Sequence, residues 1–465
     1  MNQRTDTKDL FETMPVPRAL ASMAIPTIVS QLINLVYNIV DAFFIGRTGN
    51  SFMMAAATLT LTLVMMNTAR SNLFGVGSGS LVARLMGVRK AEEARRVSAF
   101  GFFGSVGIAL FYAVLVGVFM TPLLRFLGAS DATLGYARQY TWLVIVAGSL
   151  PSILSMSLAH ILRNAGCALK ASIGLSSGGI LNMLLDPLFM FVLLPPGQEV
   201  LGAAAATLLS NVAACLYLLH AYRQAGKTSP LSMKPADAAA IGRENRRNLF
   251  SVGIPSAILT GLFDLANICV NMIASAHSDL VLAGMGIVMK VERVPNAFNL
   301  GICQGAMPII AYNYSSGAYI RMRETIRTAR LWGLAVSAFS ILIFEIFAGP
   351  AARLFLNTAA EDAANAALTV GFAALFLRIR CIASPVQLLN YHASYCMQAM
   401  GKGRATMLHA VVRELVFYIP CMFLLDALFG EVGLAAALPV GEACGAAFAL
   451  FLLYRMLNSD RTSKA

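Results

Sequence analysis

Residues 19–45 read ALASMAIPTIVSQLINLVYNIVDAFFI, an apolar run with no Lys, Arg or Glu and a single Asp. Crossing about 30 Å of hydrocarbon takes roughly 20 residues of helix, so this run is long enough to span a bilayer. A barrel strand needs only about ten residues of alternating pattern, so the run reads as a helix. Asn34, Tyr37, Asn38 and Asp41 recur at i, i+3, i+4 and i+7 and form one polar stripe on an otherwise apolar cylinder. Such a stripe faces protein or water, not lipid. Hydrogen bonding between helices would account for the amides. A mid-membrane carboxylate costs at least about 2.5–3.5 kcal/mol on insertion scales, so Asp41 needs a reason to be there, either the same hydrogen bonding between helices or a functional role.

Outward from this run, the same reading finds about twelve apolar segments: 19–45, 53–76, 97–120, 140–160, 171–194, 201–222, 250–275, 281–309, 329–348, 366–395, 407–428 and 433–456. The fold class is therefore all-α, a polytopic membrane protein. Composition agrees: the 465 residues are 58% hydrophobic and 12% charged, about half the charge of a soluble domain, which excludes a water-soluble globule. A net charge of +12 in a soluble chain would suggest nucleic acid, but no basic stripe interleaved with aromatics exists, so lipid is the expected surroundings. Sorted by loop, 25 of the Lys and Arg fall on the side of the N-terminus and four (Arg47, Arg125, Arg138, Arg353) on the other. The positive-inside rule then places both termini in the cytoplasm. The eight cysteines are scattered through apolar stretches without a CxxC pair or a Cys/His cluster, and the five histidines are isolated, so no metal centre or cofactor is expected. Residues 1–18 are polar and lack a signal-peptide pattern.

The longest polar connection, 223–249, lies near the midpoint, and its flanks superimpose at an offset of about 228–235 residues. AIPTIVS at Ala24 matches GIPSAIL at Gly253, LDPLFMF matches YIPCMFL, and LGAAAAT at Leu201 matches VGLAAAL at Val432. Six spans per half put the halves in the same orientation, as in parallel-repeat transporters that bind at the interface between halves. The organisation is a segment 1–18, an N-terminal lobe 19–222, a linker 223–249, a C-terminal lobe 250–456 and a tail 457–465.

NLVYNIVDAFFIGRTG in the first segment, GSGSLVARLMGVRKAEEA after the second, LRNAGCALKAS and LNMLLDPLFMF around the fifth, and GICQGAMPIIAYNYSSG at the eighth occur in the order found in the multidrug and toxic compound extrusion (MATE) family. The chain resembles that family over 14–456, with the fit nearest its bacterial DinF-type branch. The resemblance implies two six-helix lobes around a V-shaped cavity, residence in the bacterial inner membrane, and efflux of small organic compounds coupled to entry of Na+ or H+.

Asp186 stands four residues after Asn182, so the two share a helix face, and Pro187 disturbs the local backbone hydrogen bonding. A carboxylate beside freed carbonyls suits Na+ or a proton, although an Asp accommodating a proline kink would look the same. The resemblance places a cation site on Asp41, Asn182, Asp186 and Thr207, with Thr207 resting on an ungapped GAAAAT. In the second half Ile419 stands opposite Asp186, and Val270 or Asn271 opposite Asp41, so coupling is expected in the first lobe alone. Asp264 and the group Lys290, Glu292, Arg293 are instead expected to neutralise one another or, if a carboxylate stays free, to attract cationic substrate. Asn34, Tyr37, Asn38, Asp264 and Glu292 are thus the cavity candidates. Arg378, Arg380, Arg413 and Glu414 are expected near span ends or in pairs, with no role. GVGSGS lacks the strand context and Lys of a nucleotide loop, which argues against ATP as energy source. The expectation is a monomeric antiporter that is not an enzyme; the alternative is a lipid-linked precursor flippase, which would want a cationic central cavity.

Overall fold

A computed structural model describes residues 3–48, 50–195, 197–355 and 363–462. Among them the chain crosses the bundle twelve times. Span 1 is Val16–Arg47, span 2 Ser51–Gly87 and span 3 Ala91–Val118. Span 4 bends by 45° between Asp131–Ala147 and Ser149–Asn164. Span 5 is Ala168–Leu188, which runs through Pro187 and widens into a π-turn at Phe189–Leu193; span 6 is Glu199–Ala225. Span 7 is Arg243–His277, span 8 the pair Asp279–Val291 and Arg293–Ser315, span 9 Tyr319–Phe355 and span 10 the pair Ala363–Cys381 and Ser384–Ala399. Span 11 starts at Gly403–Val411, widens at Val412–Tyr418 and enters Ile419–Thr462, which reverses at Gly430 to become span 12. Gly430 has φ 61 and ψ −145, a backbone conformation that a Cβ would obstruct.

Two sequence expectations are corrected and one element is added. GVGSGSLVARLMG was expected to follow the second segment, yet span 2 continues through it to Gly87 because its small residues are buried, Gly75 and Gly79 against span 4 of their own lobe and Gly77, Ser80 and Gly87 against the other lobe. The eighth segment is broken at Glu292. Part of the polar segment 1–18 is also a docked helix, Gln3–Glu12: Phe11 is fully buried and stacks on Tyr312 at 4.9 Å, while Arg321 Nε and Nη2 donate to the carbonyls of Phe11 and Leu10.

The cores define two lobes and a seam. One cluster (Tyr112, Ile145, Ile153, Met190) belongs to the N-terminal lobe alone, and another (Val270, Met285, Phe376, Met422) to the C-terminal lobe alone. A third crosses between lobes at the end carrying both termini, where Leu20, Met23 and Ala24 pack with Ile302, Met307, Ile310 and Met397. Backbones meet there without side-chain spacers: a Cβ on Gly253 would stand 2.0 Å from the Leu73 carbonyl oxygen, and one on Gly305 2.7 Å from Ala24 Cα. Ser80 Oγ donates to the Gln398 carbonyl at 2.6 Å and Asn72 Nδ2 to Thr260 Oγ1 at 2.9 Å. Towards the other end the Asp279–Val291 half of span 8 packs chiefly on spans 7, 9 and 10 of its own lobe. Large apolar side chains such as Phe111, Phe126, Val114 and Leu354 are exposed on the outside, as a lipid-facing surface requires.

Candidate functional site

Small residues on span 5 set the centre of the N-terminal lobe. Gly179 lets span 1 close in, so that a Cβ there would meet Ile33 Cγ2 at 3.3 Å and Tyr37 Cβ at 3.6 Å; Gly178 does the same for Ala214 of span 6. Gly202 of span 6 lies against the widened turn at Phe189. Spans 1, 5 and 6 therefore converge around Asn182 and Asp186, which are 1% and 0% exposed. Asn182 Nδ2 is shared between Asp186 Oδ1 at 3.2 Å and Thr207 Oγ1 at 3.3 Å. Asp41 lies within electrostatic reach of Asp186. Asp41 Oδ1, Asn182 Oδ1 and Asp186 Oδ2 are all buried with no hydrogen-bond partner. Unsatisfied acceptors inside a protein are costly, and several converging ones describe a place for a proton or a hard cation. The polar stripe of span 1 divides: Tyr37 turns toward the carboxylates, whereas Asn38 is exposed and donates to the Asn34 carbonyl at 2.6 Å. Tyr140 of span 4, within reach of Asp41, Tyr37 and Asp186, was not singled out in the sequence, where one Tyr in an apolar segment gives no signal.

The C-terminal candidates are elsewhere and arranged differently from expectation. Glu292 does not pair with its neighbours Lys290 or Arg293; it accepts from Arg380 Nε at 2.8 Å and Nη2 at 2.9 Å, and Arg380 is 4% exposed. A carboxylate held bidentately is not free for cargo. Asp264 is half-buried and faces Arg293. Arg413 and Glu414, expected near span ends or in pairs, are mid-span and 1% exposed, and Arg413 is paired: it binds Glu442 through Nε at 3.0 Å and Nη2 at 2.5 Å. Glu442 was missed because its partner lies on another span; a lone Glu in PVGEAC was the available signal.

The MatE family model matches residues 26–188 and 255–424, most of both lobes. The chain belongs to the MatE family. MatE proteins are transporters and not enzymes. Among relatives, the multidrug export protein MepA of Staphylococcus haemolyticus is 27% identical over 455 residues, covering 98% of this chain and 97% of its own. MepA of Staphylococcus aureus strain MRSA252 is 27% identical over 445 residues, with 96% and 95% covered. A crystal structure of MATE in complex with MaL6 superimposes with a TM-score of 0.91 at 21% identity, covering 98% of this chain and 99% of that one. A transporter of the MOP superfamily from Pyrococcus furiosus, described as having a binding pocket of reversed polarity that suggests a different function, superimposes at 0.89 with 20% identity and 98% of each chain covered. The MatE fold is thereby established, and cargo must be argued from the site.

Proposed function

We propose that this MatE chain exports amphipathic, cationic organic compounds in exchange for H+ or Na+ by alternating access. The observation that carries the reading is the N-terminal-lobe cluster: two mutually repelling carboxylates, Asp41 and Asp186, with Asn182 and Thr207 beside them and three buried oxygens unpartnered. Either a proton shared by the carboxylates or a Na+ held by these oxygens would relieve the repulsion. The positive-inside rule supports a cytoplasmic terminal end, with the closed seam on the cytoplasmic side and the cavity between the lobes opening outward. Ion entry from outside then draws Asp41 toward Asp186. The seam fixes span 1 on both sides of Pro26, at Ala24 and Ile28, and its Asn34–Asp41 portion, which packs on span 5 within the N-terminal lobe, shifts beyond that anchor to expel cargo. One charge crossing 100 mV releases about 2.3 kcal/mol, so one or two ions suffice for useful accumulation. The multidrug-export relatives support the cargo class. A lipid-linked precursor flippase is disfavoured because Arg380 and Arg413, cations that could meet a pyrophosphate, are already bound by Glu292 and Glu442.

The test is ethidium efflux from vesicles under imposed Na+ or pH gradients. Gradient-driven efflux by the unaltered chain, lost in Asp41→Asn and Asp186→Asn, is expected. Full efflux by both inserted variants would refute the reading.

A further inference from the structure

The geometry points to Glu414 as a second proton-exchange site, in the C-terminal lobe and used in the same cycle; this rests on the cation-coupled exporter reading above. Glu414 is 1% exposed, and neither of its carboxylate oxygens has a hydrogen-bond partner. Its nearest cation, Arg413 Nη1, is 3.5 Å from Oε1, while Nε and Nη2 of the same guanidinium are committed to Glu442. Glu442 Oε2 also accepts from Asn390 Nδ2 at 2.6 Å. One guanidinium therefore neutralises one fully satisfied carboxylate and leaves a second negative charge in a dry interior. An uncompensated buried charge is too costly to persist and takes up a counter-ion.

That ion is a proton. Arg413 would repel a metal ion, and the neighbouring oxygens are occupied: those of Glu442 by Arg413 and Asn390, and Asn390 Oδ1 by His409 Nε2 at 3.0 Å. A proton needs only the O–H bond it forms with the Glu414 carboxylate, and on release it returns to water. Other titratable groups surround the position: Glu442 on span 12, Tyr391 on span 10 with its ring 5.0 Å from the Arg413 guanidinium, and Tyr418 one turn on. Beyond them stand His409, tied to Ser394 at 2.8 Å, and the Arg380–Glu292 pair next to Tyr418. Span 7 also packs here, and its Asp264 faces Arg293 instead.

Arg413 and Glu414 lie within the widened turn Val412–Tyr418, where helical hydrogen bonding is loosened, a frequent setting for functional residues. Losing the proton gives Arg413 two carboxylates to share; gaining it leaves one. The protonation state thus selects between two side-chain arrangements at the junction of spans 10, 11 and 12. The expectation that coupling is confined to the first lobe came from Ile419 standing opposite Asp186; Glu414 lies a little over one turn earlier on the same span.

Infrared difference spectroscopy across a pH step, on purified protein in lipid nanodiscs, tests this directly. A protonated-carboxyl band is expected that disappears in Glu414→Gln, shifts but survives in Glu414→Asp, and persists in the Asp41→Asn, Asp186→Asn double variant. In proteoliposomes, Glu414→Gln is expected to lower the protons exchanged per ethidium exported, whereas the double variant abolishes gradient-driven export. A Glu414→Gln spectrum identical to that of the unaltered chain, or unchanged proton counts in Glu414→Gln, overturns the proposal. Full export by the double variant instead refutes the N-terminal-lobe reading, and the infrared result distinguishes the two failures.

Discussion

Replacing Gly253 by Ala isolates the seam from the chemistry. The added Cβ would stand 2.0 Å from the Leu73 carbonyl oxygen, and contacts below 3.0 Å do not persist, so spans 2 and 7 must part by about 1 Å at the closed end. Both atoms involved are fixed by helical backbone, so no flexible side chain can yield. Overpacking of this kind costs roughly 1–3 kcal/mol. A mid-range cost of about 2 kcal/mol corresponds to roughly 30-fold in the balance between the state with this seam closed and any state with it apart. Spin labels at Glu92 and Ile320, exposed positions on opposite lobes at the terminal end, would report the change as a longer distance population in pulsed electron resonance. Gly261→Ala, where an added Cβ meets nothing within 4 Å, is the control and should leave the distribution unchanged. If Gly253→Ala gives the same distances and export rate as the unaltered chain, the seam does not gate the lobes and the alternating-access argument loses its hinge.

Thr207→Ala removes one of the two acceptors of Asn182 Nδ2; a lost hydrogen bond of about 1 kcal/mol should weaken coupling-ion affinity roughly fivefold, read as the ion concentration that half-displaces ethidium. Glu292→Gln leaves Arg380 buried without its counter-charge, which should cost about 3–5 kcal/mol and lower the thermal midpoint, while Glu292→Met with Arg380→Met recovers most of the loss. Phe11→Ala empties a fully buried aromatic site worth about 3–5 kcal/mol, so the N-terminal helix should undock and trypsin should cut faster after Lys8.

The number of spans was legible because length and apolar content alone decide what can cross a bilayer. The Asn182–Asp186 contact was also legible, since a spacing of four fixes a shared helix face wherever the helix packs. Span ends were less so: GVGSGS lies past the end of the second apolar segment, and burial of its small residues against span 4 and against the other lobe keeps it helical. Charge pairing was not legible. Glu292 finds Arg380 88 residues away rather than Arg293 next to it, and Arg413 finds Glu442 29 residues on, because those partners are chosen by how spans 8, 10, 11 and 12 pack. A sequence counts the charges in a span and is silent on which neighbouring span answers them.

The central claim is that the Asp41, Asn182, Asp186 and Thr207 cluster binds the coupling ion and that this binding releases cargo. Equilibrium displacement of ethidium from the purified protein, titrated with Na+ and separately with acid, measures that linkage without a membrane gradient. In the unaltered chain one of the two ions should displace ethidium, and in Asp186→Asn neither should; displacement of equal extent at equal ion concentration in both proteins would contradict it.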